Sequence, residues 1–266
     1  MTHAAPPHPL PRKANLGCGF DLREGFLNVD FQEFHHPDLV ADVTDLSDLP
    51  SGHFEHIVAQ DVLEHLERDL VPRALAEWSR LLASDGVLEL RVPSLCHLLE
   101  LLCRPDHRSA DAAASILHLV YGTQAYSGDY HQSGFTIELL TSHLADVGLM
   151  VCRAAIRDEW LFEISARKTH ALERDDDFIH YSYVTILGRP VDPAGLQYAL
   201  HLLNTASVSR DGFVALLESS DEKRFINRYP RYLLPYRERL TDSVRATRLV
   251  NRVVPIARAL RRVLVP

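Results

Sequence analysis

Short apolar runs alternate with helical patterns along the first two-thirds of the chain, and this alternation limits the possible folds more than any other feature. Strands that alternate with helices along a chain form parallel sheets with helices on both faces. We therefore predict an α/β fold built on a doubly wound, Rossmann-like sheet. The predicted strands are Lys13–Leu16, Phe26–Asp30, Leu39–Ala41, Phe54–Gln60, Val87–Val92, Leu149–Arg157 and Trp160–Lys168. The predicted helices cover about 69–82, 94–102, 111–121 and 136–147.

The composition changes at Glu173–Asp177, after which every pattern is helical. A chain of 266 residues is long enough for one well-cored α/β domain and a small second domain. We therefore predict a small all-α C-terminal domain after the sheet. The predicted divisions are a flexible N-terminus (1–12), the α/β domain (13–170), the helical domain (176–230) and a basic amphipathic helical tail (231–266).

Composition and cysteine usage favour a protein of the cytoplasm. Hydrophobic residues make up 46% of the chain and charged residues 24%, which excludes disorder as a whole-chain state. Met1–Pro11 lacks the apolar run of a signal peptide, and no stretch approaches the roughly 18 apolar residues of a membrane span. The four cysteines are scattered without CxxC spacing, which indicates reduced thiols. The alternative location is peripheral, at the inner membrane.

The charge is divided unevenly along the chain. Residues 224–266 contain eleven arginines and two acidic residues, so the net charge of −8 separates into about +9 there and about −17 in residues 1–223. Binding of nucleic acid needs Lys and Arg near the site, so the acidic body argues against a nucleic-acid substrate. A basic amphipathic segment is typical of docking to a membrane surface or a protein partner, and packing on the acidic body is the alternative.

Three groups at the predicted carboxyl ends of strands match what a cofactor with a sulfonium, a ribose and an adenine requires. The glycine turn Gly17-Cys18-Gly19 lets the backbone approach the methionine and ribose parts. Asp30 ends the second strand, where a carboxylate accepts bonds from ribose hydroxyls, and Phe31 beside it can pack on the adenine face. Asp42-Val43 follows the third strand, where a polar group reads the adenine edge. Taken singly, these groups have plain alternatives as a turn, a solvated carboxylate and a helix or turn cap.

Several separated blocks of sequence resemble the class I S-adenosylmethionine-dependent methyltransferases, in particular a group of small bacterial predicted methyltransferases. These blocks are NLGCG, GFLNVD, ADVTDLSDLP, HFEHIVAQDVLEHL and EWSRLLASDGVLELRVPS, which keep the family's order and spacing. Later elements of the group correspond to Tyr121-Gly122-Thr123, His131 and Phe135-Thr136. The resemblance covers about Lys13 to Lys168.

This resemblance implies S-adenosyl-L-methionine as the cofactor and methyl transfer as the reaction. Asn15 stands where the superfamily often has an acid, and Asp30 follows Gly19 after only eleven positions, so the usual first helix must be truncated or missing. The cofactor contacts that it implies come from the backbone of Leu16, Gly17, Cys18 and Gly19, from Asp30 at the ribose, from Asp42 and Val43 at the adenine, and from Gln60 near the methyl group.

The resemblance also implies a role for the segment Gln60–Leu66, which in that superfamily shapes the cofactor pocket and caps the following helix. An acid–base role for Glu64 or His65 is the alternative. The fifteen histidines show neither HExxH nor cysteine-partner spacing, so no metal site is predicted.

Gly122–Gly134 is rich in Gly, Ser and Tyr and lacks an apolar period, which is typical of a functional loop. Methyl transfer is an in-line displacement that depends on alignment and desolvation. A hydroxyl acceptor also needs a base that titrates near neutrality, and histidine fits that need. We predict His131 as this catalytic residue; a loop histidine that bonds the backbone or gates the pocket is the alternative.

The later region resembles an uncharacterised helical domain, akin to phycobilisome-linker modules, that recurs in bacterial surface-glycan proteins. The resemblance lies in Tyr183–Leu196, with its LGRPVDPAGL core, and in Ser219-Ser220 and Phe225. Within it, Asp192 is predicted to cap a helix that begins at Pro193. The resemblance implies an interaction module, and it suggests an acceptor hydroxyl on a surface polysaccharide or lipid-linked glycan, hence a role in polysaccharide biosynthesis.

Two other functions remain open. One is a catalytically inactive scaffold or binding module in glycan assembly that kept the methyltransferase fold. The other is a dinucleotide or nucleotide-sugar enzyme, although the LGCG turn lacks the third glycine of that fingerprint. The joint presence of Gly17, Gly19, Asp30 and Asp42 favours the enzyme.

Overall fold

The computed structural model of the chain describes residues 9–126, 128–169 and 171–228. Contacts between Cα atoms divide the chain into two units, residues 1–218 and 219–266. Of the predicted flexible N-terminus, residues 1–8 lie outside the described residues, as does the whole predicted tail, 231–266.

Seven strands form a single sheet: β1 (Lys13–Leu16), β2 (Leu27–Asp30), β3 (Leu39–Val40), β4 (Phe54–Gln60), β5 (Leu82–Pro93), β6 (Leu149–Arg157) and β7 (Leu161–Lys168). Their order across the sheet is β3-β2-β1-β4-β5-β7-β6. The pairs among β1 to β5 are parallel, whereas β7 runs antiparallel to both β5 and β6. The predicted α/β fold with a Rossmann-like sheet is confirmed, and every predicted strand is present.

The central strands are short apolar runs because both of their faces are covered. All four residues of β2 are buried, as are Ala14, Asn15 and Leu16 of β1. Buried strands of this kind bring their carboxyl ends to one edge of the sheet, and the loops that follow them form the candidate site.

The helices of the first unit are α1 (Val71–Leu81), α2 (Leu95–Cys103), α3 (Ala110–Tyr121), α4 (Ile137–Asp146), α5 (Asp175–Ser182), α6 (Pro193–Asn204) and α7 (Arg210–Glu218). The second unit contains α8 (Asp221–Arg228). Short 3-10 turns occur at Glu33–His35, Leu63–His65 and Pro105–His107, and a π-helical turn at Tyr183–Leu187 follows α5. None of the helices in the described ranges is long and apolar enough to cross a membrane.

Helix α1 packs on the sheet through an apolar stripe and fixes part of the candidate site. Val71, Ala74, Leu75 and Trp78 are buried at helical spacing. The indole Nε1 of Trp78 donates a hydrogen bond of 2.9 Å to the backbone carbonyl of Val43, which follows β3. This bond ties the loop after β3 to the core.

Two local predictions need correction. Among the described residues no side chain caps the N-terminus of α1 at Leu70, so the prediction that Gln60–Leu66 caps this helix is wrong. The strand predicted at Val87–Val92 begins earlier, at Leu82, so β5 includes Ser84–Gly86, and the register of β4 and β5 shifts between the pairs Phe54–Leu82 and His56–Val87.

The connection between β1 and β2 has turns and no helix, and every residue of it is described. The prediction of a truncated or missing first helix is therefore confirmed. The cap predicted at Asp192 is also present, because its carboxylate accepts a 2.8 Å hydrogen bond from the Gly195 N–H and Pro193 opens α6.

Helix α5 packs against β6 within the first unit. Asp176 accepts a 3.2 Å hydrogen bond from Arg153 of β6, and the Ala154 N–H donates to His180 Nδ1 at 3.4 Å. The division between an α/β domain and a helical domain near residues 173–177 stays a prediction.

Candidate functional site

A cavity of about 540 Å³ lies at the carboxyl ends of β1, β2 and β4. This volume is within the roughly 300–1,000 Å³ of small-molecule sites. Eight of the nine predicted cofactor residues line it, whereas Leu16 is fully buried in β1. The lining residues are Asn15, Gly17, Cys18, Gly19, Phe20, Asp21, Asp30, Phe31, Gln32, His35, Asp42, Val43, Gln60, Asp61, Val62, His65, Leu66, Arg91, Tyr126 and Gly128.

The glycine turn after β1 forms part of the cavity wall with bare backbone. Gly17 has a φ of +61°, and a Cβ there would stand 2.5 Å from Val62 Cγ2. Gly19 has a φ of +51°, and no described atom lies within 4 Å of the place that its Cβ would take. Both positions therefore require glycine, the first for backbone conformation and space and the second for conformation.

Two buried asparagines hold the short connection that replaces the missing helix. Asn15 Nδ2 donates to the Asp21 carbonyl at 2.7 Å and to Asn28 Oδ1 at 3.2 Å. Asn28 Oδ1 also accepts a 2.8 Å bond from the Arg23 N–H, and its Nδ2 donates to Asp38 at 2.9 Å. Asn15 thus supports the loop that borders the cavity, at a position where the resemblance would often imply an acid.

Asp30 is fixed at the end of β2 by three donors. Its Oδ2 accepts a 2.8 Å bond from the Gly19 N–H, and its Oδ1 accepts one of 2.8 Å from the Gln32 N–H. His35 Nδ1 lies 2.9 Å from the same Oδ1. An ionised carboxylate has about four acceptor sites, so Asp30 retains capacity for a ligand hydroxyl.

Phe31, Asp42 and Val43 lie on the adjoining wall. Phe31 is 62% exposed, which leaves its ring free to pack against a ligand. Asp42 Oδ1 accepts a 2.8 Å bond from the Thr44 N–H, so it caps a turn and not a helix, while the residue also lines the cavity. Val43 is buried and held by Trp78.

Gln60 ends β4 at the floor of the cavity, and its Oε1 accepts a 2.9 Å bond from Arg23. The next residue, Asp61, has a left-handed backbone with a φ of +55°. Its carboxylate forms an ion pair with Arg91, and its N–H donates to the Arg91 carbonyl at 2.9 Å. Backbone strain of this kind persists where the surroundings fix it, and it is frequent at functional sites.

The cavity is acidic and has an aromatic rim. Four of the lining residues are aspartates, against one arginine, which favours a cationic ligand. His35 packs edge-on against Phe20 and Phe34 with ring centroids 4.6 and 4.3 Å apart, and Tyr126 stands 6.1 Å from Phe34. Burial, with Asp129 and Asp30 nearby, raises the pKa of Tyr126, so its hydroxyl keeps its proton at neutral pH.

Cys18 contributes its backbone rather than a reactive thiol. Its N–H donates a 3.0 Å bond to the Val29 carbonyl, which joins the glycine turn to β2. Burial, followed by the charge of Asp30, raises the pKa of the Cys18 thiol to about 12. The thiolate is the nucleophilic form of cysteine, so this residue is unsuited to covalent catalysis.

His131 does not line the cavity, but it lies against a residue that does. The rings of His131 and His65 are 4.8 Å apart and nearly perpendicular. Burial, and then His65, lowers the pKa of His131, which keeps the imidazole neutral and able to accept a proton. Beside them Glu64 is 2% exposed, and burial raises the pKa of its carboxyl well above the usual range.

The comparisons with known proteins bear on this part of the chain. A family model described as "Methyltransferase domain" matches residues 7–90. This stretch, which supplies the glycine turn, Asp30, Asp42 and Gln60, is therefore similar to a methyltransferase domain. This match agrees with the predicted methyltransferase resemblance and supports S-adenosylmethionine as the cofactor. No curated protein sequence matches the chain.

Several solved structures are partly similar. One, described as SAM-dependent methyltransferases from Methanosarcina mazei, has 15% identity and a TM-score of 0.45, with coverage of 59% of this chain and 91% of that one. A 1,6-didemethyltoxoflavin-N1-methyltransferase from Burkholderia thailandensis has 14% identity and a TM-score of 0.39, with coverage of 59% and 70%. The CurJ carbon methyltransferase has 17% identity and a TM-score of 0.39, and the chain spans only half of its length, with coverage of 62% and 50%.

Several residues of the site were not predicted. His35 and Arg91 carried no prediction for the site, Tyr126 was included only within the loop Gly122–Gly134, and Asp61 only within the segment Gln60–Leu66. The predicted absence of a metal site rested on local spacing, whereas Glu64, His65 and His131 meet through the path of the loop before α4.

Proposed function

We propose that the chain transfers the methyl group of S-adenosylmethionine to an acceptor hydroxyl. The observation that carries this proposal is the 2.8 Å bond between the Gly19 N–H and Asp30 inside a methyltransferase domain. It places bare backbone and a carboxylate side by side at the carboxyl ends of β1 and β2, where open α/β sheets bind nucleotide ligands.

The lining residues fit the parts of this cofactor. Asp30 would accept the ribose hydroxyls, Phe31 would pack on the adenine, and Asp42 with Val43 would bind the adenine edge. Gly17 and Gly19 leave room for the amino-acid part of the cofactor. A Cβ at Gly17 would push on Val62, which also lines the cavity, and would thereby displace that part of the cofactor. The acidic lining attracts a molecule that carries a sulfonium.

When bound, the cofactor supplies a methyl group on a positively charged sulfur. The S–CH3 bond breaks as the O–CH3 bond forms, and the acceptor loses its hydroxyl proton. The chain aligns the two reactants and excludes water, which are the main contributions that this displacement needs. His131, neutral and next to the cavity wall, is the group that we assign to take the acceptor proton.

The acceptor that we propose is a hydroxyl of a surface polysaccharide or lipid-linked glycan. Support comes from the resemblance of Tyr183–Leu196 to a helical module of surface-glycan proteins, which is an association between domains. In this proposal residues 176–230 serve as an interaction module, and the tail, 231–266, docks to a membrane surface or a protein partner. An inactive scaffold with the same partners is the second candidate, and the intact set of cavity residues speaks against it.

Calorimetric titration of the full chain with S-adenosylmethionine tests the proposal. A saturable heat is expected, and no heat at millimolar cofactor would leave the scaffold as the function. Phe31→Ala should weaken binding roughly 5- to 150-fold, since stacking on a base contributes about 1–3 kcal/mol, and its exposed ring contributes little to the fold. Asp48→Asn, an exposed aspartate outside the cavity lining, is the control.

The role of His131 is tested by the rate of methyl transfer, measured separately from cofactor binding. His131→Ala should leave the cofactor affinity nearly unchanged and slow methyl transfer to any acceptor found by screening glycans, lipids and small molecules with labelled cofactor. An unchanged rate would remove His131 from the mechanism.

A further inference from the structure

Three side chains that commonly ligate metals meet beside the cofactor cavity. One potential ligand atom each from Glu64, His65 and His131 lies within 4.8 Å of the other two. His65 lines the cavity, so the cluster borders the space assigned to the cofactor. None of the three is among the residues assigned to cofactor binding.

Two polar atoms of this cluster are buried without a partner. Among the described residues, neither Glu64 Oε2 nor His65 Nδ1 has a hydrogen-bond partner. Glu64 is almost completely buried, with 2% of its surface exposed. Folded proteins leave few buried polar atoms unpaired, so both atoms are expected to have a partner, and a bound ion beside the cluster is one candidate.

The backbone holds the two parts of the cluster together. The N–H groups of Gln132 and Ser133 donate to the Glu64 carbonyl at 2.7 and 3.1 Å. Gln132 Nε2 donates to the His65 carbonyl at 2.8 Å, and Ser133 Oγ donates to the Leu66 carbonyl at 2.7 Å. Four hydrogen bonds thus fasten the loop that carries His131 to the 3-10 turn that carries Glu64 and His65.

The backbone of His131 is fixed from a second side. Its N–H donates a 3.1 Å hydrogen bond to the carbonyl of Tyr121, the last residue of α3.

We propose that Glu64, His65 and His131 bind one divalent transition-metal cation of the zinc class. Two imidazoles and one carboxylate are the protein ligands of many zinc sites that keep a fourth position open. Ligand atoms at about 2.0–2.1 Å from zinc stand about 3.4 Å apart in a tetrahedron, so shifts of about 1 Å at most complete the geometry. Asp129, which interacts electrostatically with both histidines, adds negative charge on the same side.

A cation at this position has a consequence for catalysis that rests on the proposed function. It would lower the pKa of a coordinated acceptor hydroxyl, so that the proton leaves to water without a free imidazole base. With the metal bound, His131 would act as a ligand in place of its role as the proton acceptor, and the activity would depend on the metal.

Metal binding is measured directly on the untagged full chain. The protein is stripped with a chelator, dialysed and titrated with Zn²⁺ at pH 7 by calorimetry. One equivalent is expected to bind, and Glu64→Gln and His131→Ala should each weaken binding at least about 100-fold, the upper range for loss of a group that merely supports a ligand. Glu67→Gln and His118→Ala, exposed residues close in sequence, should bind zinc as the unchanged chain does.

A second measurement shows whether a variant has lost the metal site or has lost its fold. Loading the unchanged chain with Co²⁺ should give visible absorption bands of a low-coordinate site, and His131→Ala should abolish them, while thermal unfolding checks that the variant is folded. Absence of saturable Zn²⁺ binding, or equal affinity in all variants, would overturn the proposal. Titration of the stripped protein with S-adenosylmethionine separates the two proposals: cofactor binding without zinc binding refutes only the metal site, and the reverse refutes only the cofactor.

Discussion

At the scale of single residues, the site depends on side chains that a chemically similar residue could not replace, because it would lose a particular contact. Asn15 shows this most clearly. Its amide donates to Asp21 and to Asn28, which holds the short loop after the glycine turn. A carboxylate at the same position would have no proton to donate to the Asp21 carbonyl. The asparagine, where the resemblance implies an acid, therefore accompanies the absence of the first helix.

Gly17→Ala is expected to destabilise the protein more than an alanine at an open glycine does. A left-handed backbone costs alanine roughly 1–2 kcal/mol, and the new Cβ would also meet Val62 Cγ2 at 2.5 Å. Overpacking of this kind adds about 1–3 kcal/mol. The free energies of unfolding from denaturant titration measure the difference.

Gly52→Ala is the matched control for this comparison. Gly52 has a φ of +66° and no described atom within 4 Å of the Cβ position, so its replacement reports the backbone term alone. Adding Val62→Ala to Gly17→Ala should restore part of the lost stability. Equal destabilisation at the two glycines would mean that Val62 moves aside without cost.

Some residues of the site could be predicted from the sequence, and others could not. Gly17, Asp30 and Asp42 could be predicted because each follows a buried strand, and parallel strands bring their carboxyl ends to one edge. The meeting of His65 with His131 could not, because it depends on side-chain-to-carbonyl bonds from Gln132 and Ser133 across a long loop. No periodicity or motif in the sequence encodes where such a loop runs.

At the scale of elements, the strands were predictable to within a residue or so because each is a buried apolar run between turn residues. β4 and β6 have the predicted bounds. β5 differs, since it begins at Leu82, directly after α1, and includes a shift of register before Val87. Pairing with the neighbouring strand therefore extended the element beyond its apolar run.

Helix α6 offers a prediction at this scale. Asp192→Ala removes the hydrogen bond to the Gly195 N–H and should cost about 0.5–2 kcal/mol of stability. Asp192→Asn keeps an acceptor at the cap while losing the charge that faces Arg189, so it should stay close to the unchanged chain. Thermal unfolding of the three proteins gives the comparison. A loss in Asp192→Asn equal to that in Asp192→Ala would assign the effect to the ion pair instead.

At the scale of the whole molecule, the charge divides between an acidic region, 1–223, and a basic region, 224–266. The acidic body carries the cavity, and four aspartates in the cavity lining continue its charge into the site. The arginine-rich region, 224–266, is mostly outside the described residues, and its sequence alone supports the proposed docking to an anionic surface. The cofactor is thus better supported than the acceptor or the partner.

Docking of the tail to a membrane predicts a dependence on arginine number and on salt. Each basic residue near an anionic bilayer contributes about 1 kcal/mol, so Arg258→Ser, Arg261→Ser and Arg262→Ser together should weaken binding to phosphatidylglycerol vesicles about 100-fold. Cosedimentation at low ionic strength measures this, and binding should fall as salt shortens the screening length. Neutral phosphatidylcholine vesicles and the titration of S-adenosylmethionine, which the triple variant should leave unchanged, are the controls. If the unchanged chain stays in the supernatant with anionic vesicles at low salt, the membrane is excluded and a protein partner remains.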